Sequence, residues 1–220
     1  DLGKALTAEV PNKEGTAFVP NYYKKWSDIK HLLPDVPIRV YGPPTTSGTR
    51  ASYAEMINQK SYCKTDPIAK KLSIARGDKK GKKCRAMRTD GVYVEAGEQD
   101  NLIVQKLKED PTAYGIFGFS YLNQNSDTIQ GAVLDDVAPT FDDIASGKYK
   151  ASRSLYFYVK HSHLEVVPGV KNYMTEWTKH WGSEGVLADA GMIPMGQDER
   201  DKYKKAMIDL PVLKMSDLKK

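Results

Sequence analysis

The chain has 220 residues, 40% of them hydrophobic and 28% charged, the balance of a soluble globular protein with a buried core and not of a disordered tail. That length exceeds one ordinary domain and falls short of two complete ones, so one full domain plus part of another fits best. No uninterrupted apolar stretch approaches the roughly 20 residues that cross a bilayer, and the net charge of +5 is a mild lysine excess, clustered at Lys79–Lys83 and at the C-terminus, with no interleaved aromatics. It reads as a solvated face and not a nucleic-acid surface.

The chain begins at Asp1 within a helical pattern that continues through Lys4 and Leu6. Pro, Asn, Gly and Thr between Pro11 and Pro20 mark a loop, after which Trp26, Ile29 and Leu33 recur at helical spacing until Pro34 and Pro37. Ile38–Tyr41 reads as a short strand, and Gly42-Pro43-Pro44 turns the chain out of it. A polar loop follows, Thr45 to Arg50, and then Tyr53, Met56 and Ile57 share one helical face. Lys60–Lys83, rich in lysine and broken by Pro67 and Gly77, predicts helix and loop on the surface, an insertion and not a site. Val92-Tyr93-Val94 is a small strand. Gly97–Asp100 is a loop, and Leu102, Ile103 and Leu107 define an amphipathic helix that Asp100 or Asn101 caps, with Glu98 in its first turn. Gly115–Phe119 and Tyr156–Val159 read as further strands, separated by a loop with one short helix at 139–147. Val170, Tyr173, Met174 and Trp177 mark another helix, and a lysine-rich helix ends the chain. Alternation of strands with helices predicts the α/β class.

Cys63 and Cys84 are the only cysteines, each beside lysines in a hydrophilic stretch. The pair reads as one local disulfide closing the insertion, which implies an oxidising compartment; two free, partly buried thiols in a cytosolic protein are the alternative. There is no CxxC and histidine is scarce nearby, so no zinc or other metal site is expected.

Ser47-Gly48-Thr49-Arg50 carries the chemistry. Where a strand ends in a polar, glycine-containing turn that opens a helix, the first backbone N–H groups lack intrahelical partners and point outward together. The helix dipole adds positive potential there, and Gly48 lets an oxyanion approach the backbone. Ser47 and Thr49 add hydroxyl donors, and Arg50 adds a planar, permanently charged fork. Plain helix capping by Ser47 is the other reading of the same residues. A Walker A loop is excluded, since no Gly-Lys-Ser/Thr follows a strand here, and none of His31, His161, His163 and His180 sits in a motif that would activate Ser47 as a nucleophile.

Pro43–Arg50, Asp90–Glu98, Asp100–Leu107, Gly115–Ser120, Ser152–Lys160 and Leu187–Pro194 resemble, in that order, the phosphate-binding proteins of bacterial phosphate-specific ABC transporters. The resemblance implies a two-lobed periplasmic-binding-protein fold of type II, with one near-complete lobe here and the returning part of the other. On this mapping residues 1–151 form the second lobe and 152–220 cross back to complete the first. The family's Ser-Gly-Thr at a helix start maps onto Ser47, Gly48 and Thr49. Many members carry the site arginine four positions before the Ser, where this chain has Pro43, so Arg50 is the substitute. The family's opening segment, with its phosphate loop and the aspartate that accepts the ligand's proton, would precede Asp1. Selectivity between phosphate and sulfate is therefore not carried by these residues.

The implied function is extracytoplasmic capture of inorganic phosphate, periplasmic or secreted, and delivery to a transmembrane permease. No cofactor, no catalytic residue and no nucleic acid is involved, and the expected state is a monomer, alone or with a separate N-terminal fragment. The alternatives are a secreted phosphate-ester hydrolase and a phosphate-binding protein without a transport role; the absence of an Asp/His metal cluster and of an activated nucleophile in the sequence argues against hydrolysis. Glu98 would repel an anion and is not expected among the ligands.

Overall fold

A computed structural model describes residues 1–217. The chain divides into two compact units, Asp1–Gln130 and one beginning at Gly131.

The first unit is α/β. Helix α1 (Leu2–Leu6) is followed by a hairpin of β1 (Glu9–Pro11) and β2 (Phe18–Pro20), paired antiparallel with Val10 opposite Val19. Of the stretch expected to be loop between Pro11 and Pro20, only 12–17 are the turn of this hairpin, and Phe18–Pro20 are strand. Asn12 closes that turn, its side-chain oxygen accepting from the amides of Thr16 and Ala17. After α2 (Trp26–Ile29) the chain enters β3 (Val40–Gly42), the centre of a parallel sheet flanked by β4 (Tyr93–Glu95) and β5 (Tyr114–Gly115). All three residues of β3 are buried, as expected for a central parallel strand covered on both faces. Ala5, Leu6, Trp26, Ile38, Val40, Met87, Val92 and Tyr93 form the core.

Helix α3 (Gly48–Tyr53) continues without a break as a π-helix over Ala54–Cys63, and α4 (Pro67–Ala75) and a 3₁₀ turn (Lys82–Arg85) complete the cysteine segment. The disulfide forms: Cys63 and Cys84 are bonded, with Cα atoms 6.3 Å apart. Both cysteines are buried, as are Asn58, Tyr62 and Ala69, so the segment is not a surface appendage as its lysines suggest. It is amphipathic, with a packed inner side and a lysine-bearing outer one. Between α5 (Asp100–Glu109) and β5 a short turn returns the chain, and β5 stops at Gly115; Phe119 opens α6 (Phe119–Gln124) where a longer strand was expected.

The second unit holds α7 (Phe141–Ala145), α8 (Val170–His180), α9 (Val186–Asp189) and α10 (Gln197–Asp209). Leu164, Met174, Trp181 and Pro194 are buried in it, and Trp177 packs against Phe157 and Tyr173. Tyr156–Val159, expected as a strand, forms no strand and no ladder, with Leu155 and Tyr158 more than 70% exposed. A β-forming run becomes a strand only beside a segment that takes up its backbone hydrogen bonds, and among the described residues of this unit nothing pairs with it.

Candidate anion-binding site

The carboxyl ends of β3, β4 and β5 lie along one edge of the parallel sheet, and the loops leaving them carry the predicted site. In open parallel sheets this edge is where ligands bind. The turn after β3 is shaped by Gly42: a Cβ there would collide with the Tyr93 side chain, whose hydroxyl passes over it to donate to the Pro43 carbonyl at 2.5 Å. Burial pushes the Tyr93 phenol up to about 12, so it stays a neutral donor.

From Pro44 the chain rises to the N-terminus of α3. The Ser47 amide bonds back to the Pro44 carbonyl at 3.0 Å, and the Ser47 hydroxyl oxygen accepts from the Thr49 amide at 3.1 Å. Ala51 donates to the Ser47 carbonyl, the first backbone bond of the helix. Both readings of Ser47 therefore meet in one residue, because capping uses the lone pair of its oxygen and leaves its proton free. The amides of Gly48 and Arg50 have no acceptor among the described residues, and neither does the Thr49 hydroxyl. Gly48 is exposed, Ser47 and Thr49 are half-buried, and the Arg50 side chain is largely buried. The helix start thus offers five donors over four residues: two amides, two hydroxyls and the guanidinium.

Arg50 is held from two sides. It donates to the Glu95 carboxylate at the end of β4, and its guanidinium carbon lies 4.7 Å from the centre of the Tyr93 ring. The neighbouring loop is tied in by Thr46, whose hydroxyl donates to Glu98. Glu98 therefore lies in the loop before α5 and not in its first turn. The expected cap by Asp100 or Asn101 is absent as well: Gln99 occupies the cap position without a side-chain bond, and the Asp100 carboxylate turns instead to the Gly118 amide at 3.1 Å. That bond fastens the loop after β5 to the start of α5, and Asp100 remains in the first turn, where negative charge complements the helix dipole.

Tyr93, Glu95 and Thr46 were not singled out from the sequence. The signal for Glu95 was its position at the end of a predicted strand, on the same sheet edge as the loop after β3. Among the described residues, no three His, Cys, Asp or Glu side chains come together as a metal site, and no helix is long and apolar enough to cross a membrane.

Residues 1–179 match the family model of the PBP superfamily domain. The chain is 26% identical over 176 residues to the protein SphX of Synechococcus elongatus, covering 77% of this chain and 43% of that protein. To the phosphate-binding protein PstS of Staphylococcus saprophyticus it is 23% identical over 192 residues, 85% of this chain and 50% of the relative. A solved structure described as a possible phosphate binding protein from Planctomyces limnophilus shares the fold, with a TM-score of 0.59 at 23% identity over 94% of this chain and 62% of that one. The chain thus spans about half the length of the curated relatives it matches. With a family model matching residues 1–179, over a parallel α/β sheet, the chain belongs to the PBP superfamily.

Proposed function

We propose that the protein captures inorganic phosphate outside the cytoplasm for delivery to an ABC transporter permease, binding the ion through Ser47, Gly48, Thr49 and Arg50 without turning it over. The observation that carries this reading is the set of unused donors at the start of α3: the amides of Gly48 and Arg50 and the hydroxyls of Ser47 and Thr49. A tetrahedral oxyanion has several acceptor oxygens and no need of a nucleophile, so convergent donors are what its capture requires. The names of the relatives supply phosphate as the anion, and the Cys63–Cys84 bond accords with an oxidising compartment. The Ser47 hydroxyl bonds only within its own turn and has no basic partner among the described residues, which favours binding over acyl or phosphoryl transfer. In this reading residues 1–151 belong to one lobe and 152–220 to the return of the other.

Calorimetric titration of the full protein with phosphate tests the proposal. Saturable binding that is abolished in a Gly48→Val variant, with little competition from chloride, is the expected result. Absence of phosphate binding by the full protein overturns it.

A further inference from the structure

The segment 60–85 contains ten lysine and arginine residues against two aspartates, a local charge of +8 in a chain whose total is +5. The rest of the chain is therefore net negative. Both aspartates are consumed locally. Asp66 accepts from the amides of Ile68 and Ala69 and pairs with Lys4, and Asp78 accepts from the amides of Lys82 and Lys83 beside Arg76. Three of the basic residues are paired, Lys60 and Arg85 with Glu55 and Arg76 with Glu9. Seven lysines remain, Lys64, Lys70, Lys71 and Lys79 among them; all are exposed, and their ammonium groups make no ion pair or hydrogen bond among the described residues.

The patch has shape as well as charge. Helix α4 buries Ala69 and Ser73 and turns Lys70, Lys71 and Ile74 outward, Ile74 nearly half exposed, while Ile68 lies against the Gly15 turn of the hairpin. Between α4 and the Gly81 turn lies a cavity of about 210 Å³ lined by Lys64, Lys70, Ser73, Ile74 and Lys79, with Cys63 at its floor. That is below the roughly 300 Å³ at which pockets for drug-sized ligands begin, and a small anionic headgroup suits it better. Seven lysines spread over two helices and a turn cannot all reach one small ion. An extended surface of like phosphates satisfies them together, and apolar side chains standing among the lysines have a use only where such a surface has an apolar layer beneath it.

We propose that this face of the first unit, built on α4 and the Cys63–Cys84 segment, is a docking surface for an anionic phospholipid membrane. One headgroup phosphate enters the cavity, the outlying lysines engage its neighbours, and Ile74 reaches the acyl boundary.

The test is flotation of the full protein with vesicles of phosphatidylglycerol and phosphatidylcholine, against vesicles of phosphatidylcholine alone, at low and high salt. Binding should require the anionic lipid and weaken with salt. The triple variant Lys70→Ala, Lys71→Ala, Lys79→Ala should lose about a hundredfold in partition, since each basic residue near such a surface contributes about 1 kcal/mol, or about fivefold. Ile74→Ser should lose several-fold without changing the salt dependence. These side chains are exposed and unpaired, so an unchanged melting temperature separates loss of docking from loss of fold. Equal binding to both vesicle types, or a triple variant that floats like the parent, overturns the proposal. So does capture of soluble inorganic polyphosphate by the same lysines with no vesicle binding, which would assign the face to a free polyanion.

Discussion

Arg50 and Glu95 share a hydrogen-bonded ion pair across the carboxyl edge of the sheet, linking the helix after β3 to the last residue of β4. The Arg50 side chain is only 11% exposed, whereas that of Glu95 is about half exposed, so the guanidinium is fixed and the carboxylate is the partner free to move. If the guanidinium also meets the anion, Arg50→Ala loses a charge-assisted contact worth roughly 1.5 to 3 kcal/mol, about one to two orders of magnitude in phosphate affinity. From sequence alone such an arginine faces an open cleft and supports no core. Its packing over Tyr93 adds a stability cost of about 1 kcal/mol. Arg50→Lys should keep the charge and lose the fork, and so lose only part of the affinity. Titration calorimetry and thermal melting on the same variants check both effects, and an affinity unchanged by Arg50→Ala removes Arg50 from the site.

Thr49→Ala should weaken phosphate binding by about fivefold, as a neutral hydroxyl contributes about 1 kcal/mol, and should leave the melting temperature nearly unchanged. Ser47→Ala should do both, because the Ser47 oxygen caps the helix through the Thr49 amide while its proton stays available. The cap alone is worth about 1 kcal/mol. Should Ser47→Ala lower the melting temperature and leave affinity intact, the helix start is a cap and nothing more.

Glu98 accepts from Thr46 at the rim of the proposed site. Glu98→Gln keeps an acceptor for the hydroxyl and removes a negative charge near the anion. Phosphate affinity should rise by about twofold to fivefold, the scale of an exposed charge interaction, and the gain should shrink in high salt. A fall in affinity would instead mark Glu98 as a group that accepts the ligand's proton.

The helix start at Ser47 was legible because it is local: a strand, a turn forced by Gly42-Pro43-Pro44 and an N-cap lie within ten residues. The grip on Arg50 was not, because Tyr93 and Glu95 arrive by parallel pairing with β3, and no feature of residues 90–98 by themselves says which strand they will join. Asp100 shows the same limit. Its type and position suit a cap, and tertiary geometry gave its carboxylate to Gly118 instead. The burial of Cys63 and Cys84 was hidden for another reason. Their lysine neighbours face outward from helices whose opposite sides are packed, and lysine density along the chain reports only the outward half. The run at Tyr156–Val159 has every local feature of a strand except a neighbour to pair with.

Reduction of the Cys63–Cys84 bond should loosen the lysine face before the anion site. The bond closes a loop of 21 residues in sequence, which the chain-entropy model values at about 3 kcal/mol. Hydrogen exchange in the presence of a reductant should quicken first in Pro67–Ala75 and Lys82–Arg85, with the start of α3 following later. Simultaneous loss of protection in both regions would show that the segment is part of one cooperative core and has no separate stability.

The clamp at Arg88 and Asp90 should contribute to the acid limit of the first unit. Arg88 is 4% exposed; its guanidinium donates to the carbonyls of Ala5, Tyr23 and Asn21 and to both Asp90 oxygens, at 2.6 and 2.8 Å. It thereby ties α1, the segment leading to α2 and the approach to β4. Arg88→Leu would leave the carbonyls of Tyr23 and Asn21 without a partner and the Asp90 carboxylate with Lys24 alone, at a cost of roughly 3 kcal/mol. The Asp90 carboxyl is held far below the usual carboxylate range, first by its hydrogen bonds to Arg88, against some desolvation, and then by Lys24. A folded-state pKa depressed below the unfolded value of about 3.9 gives stability that is fully present above that value and is lost as pH falls toward the folded one. Melting temperature should thus be flat with respect to Asp90 above about pH 5 and fall on acidification below about pH 4. Asp90→Asn should lower stability at neutral pH and make the acid limb shallower, because the variant has no proton to take up there. Asp28, lowered by the amides of Lys25 and Lys24, contributes in the same direction and keeps the limb from vanishing. An acid limb of equal steepness in Asp90→Asn and the parent would show that the clamp does not set the pH dependence.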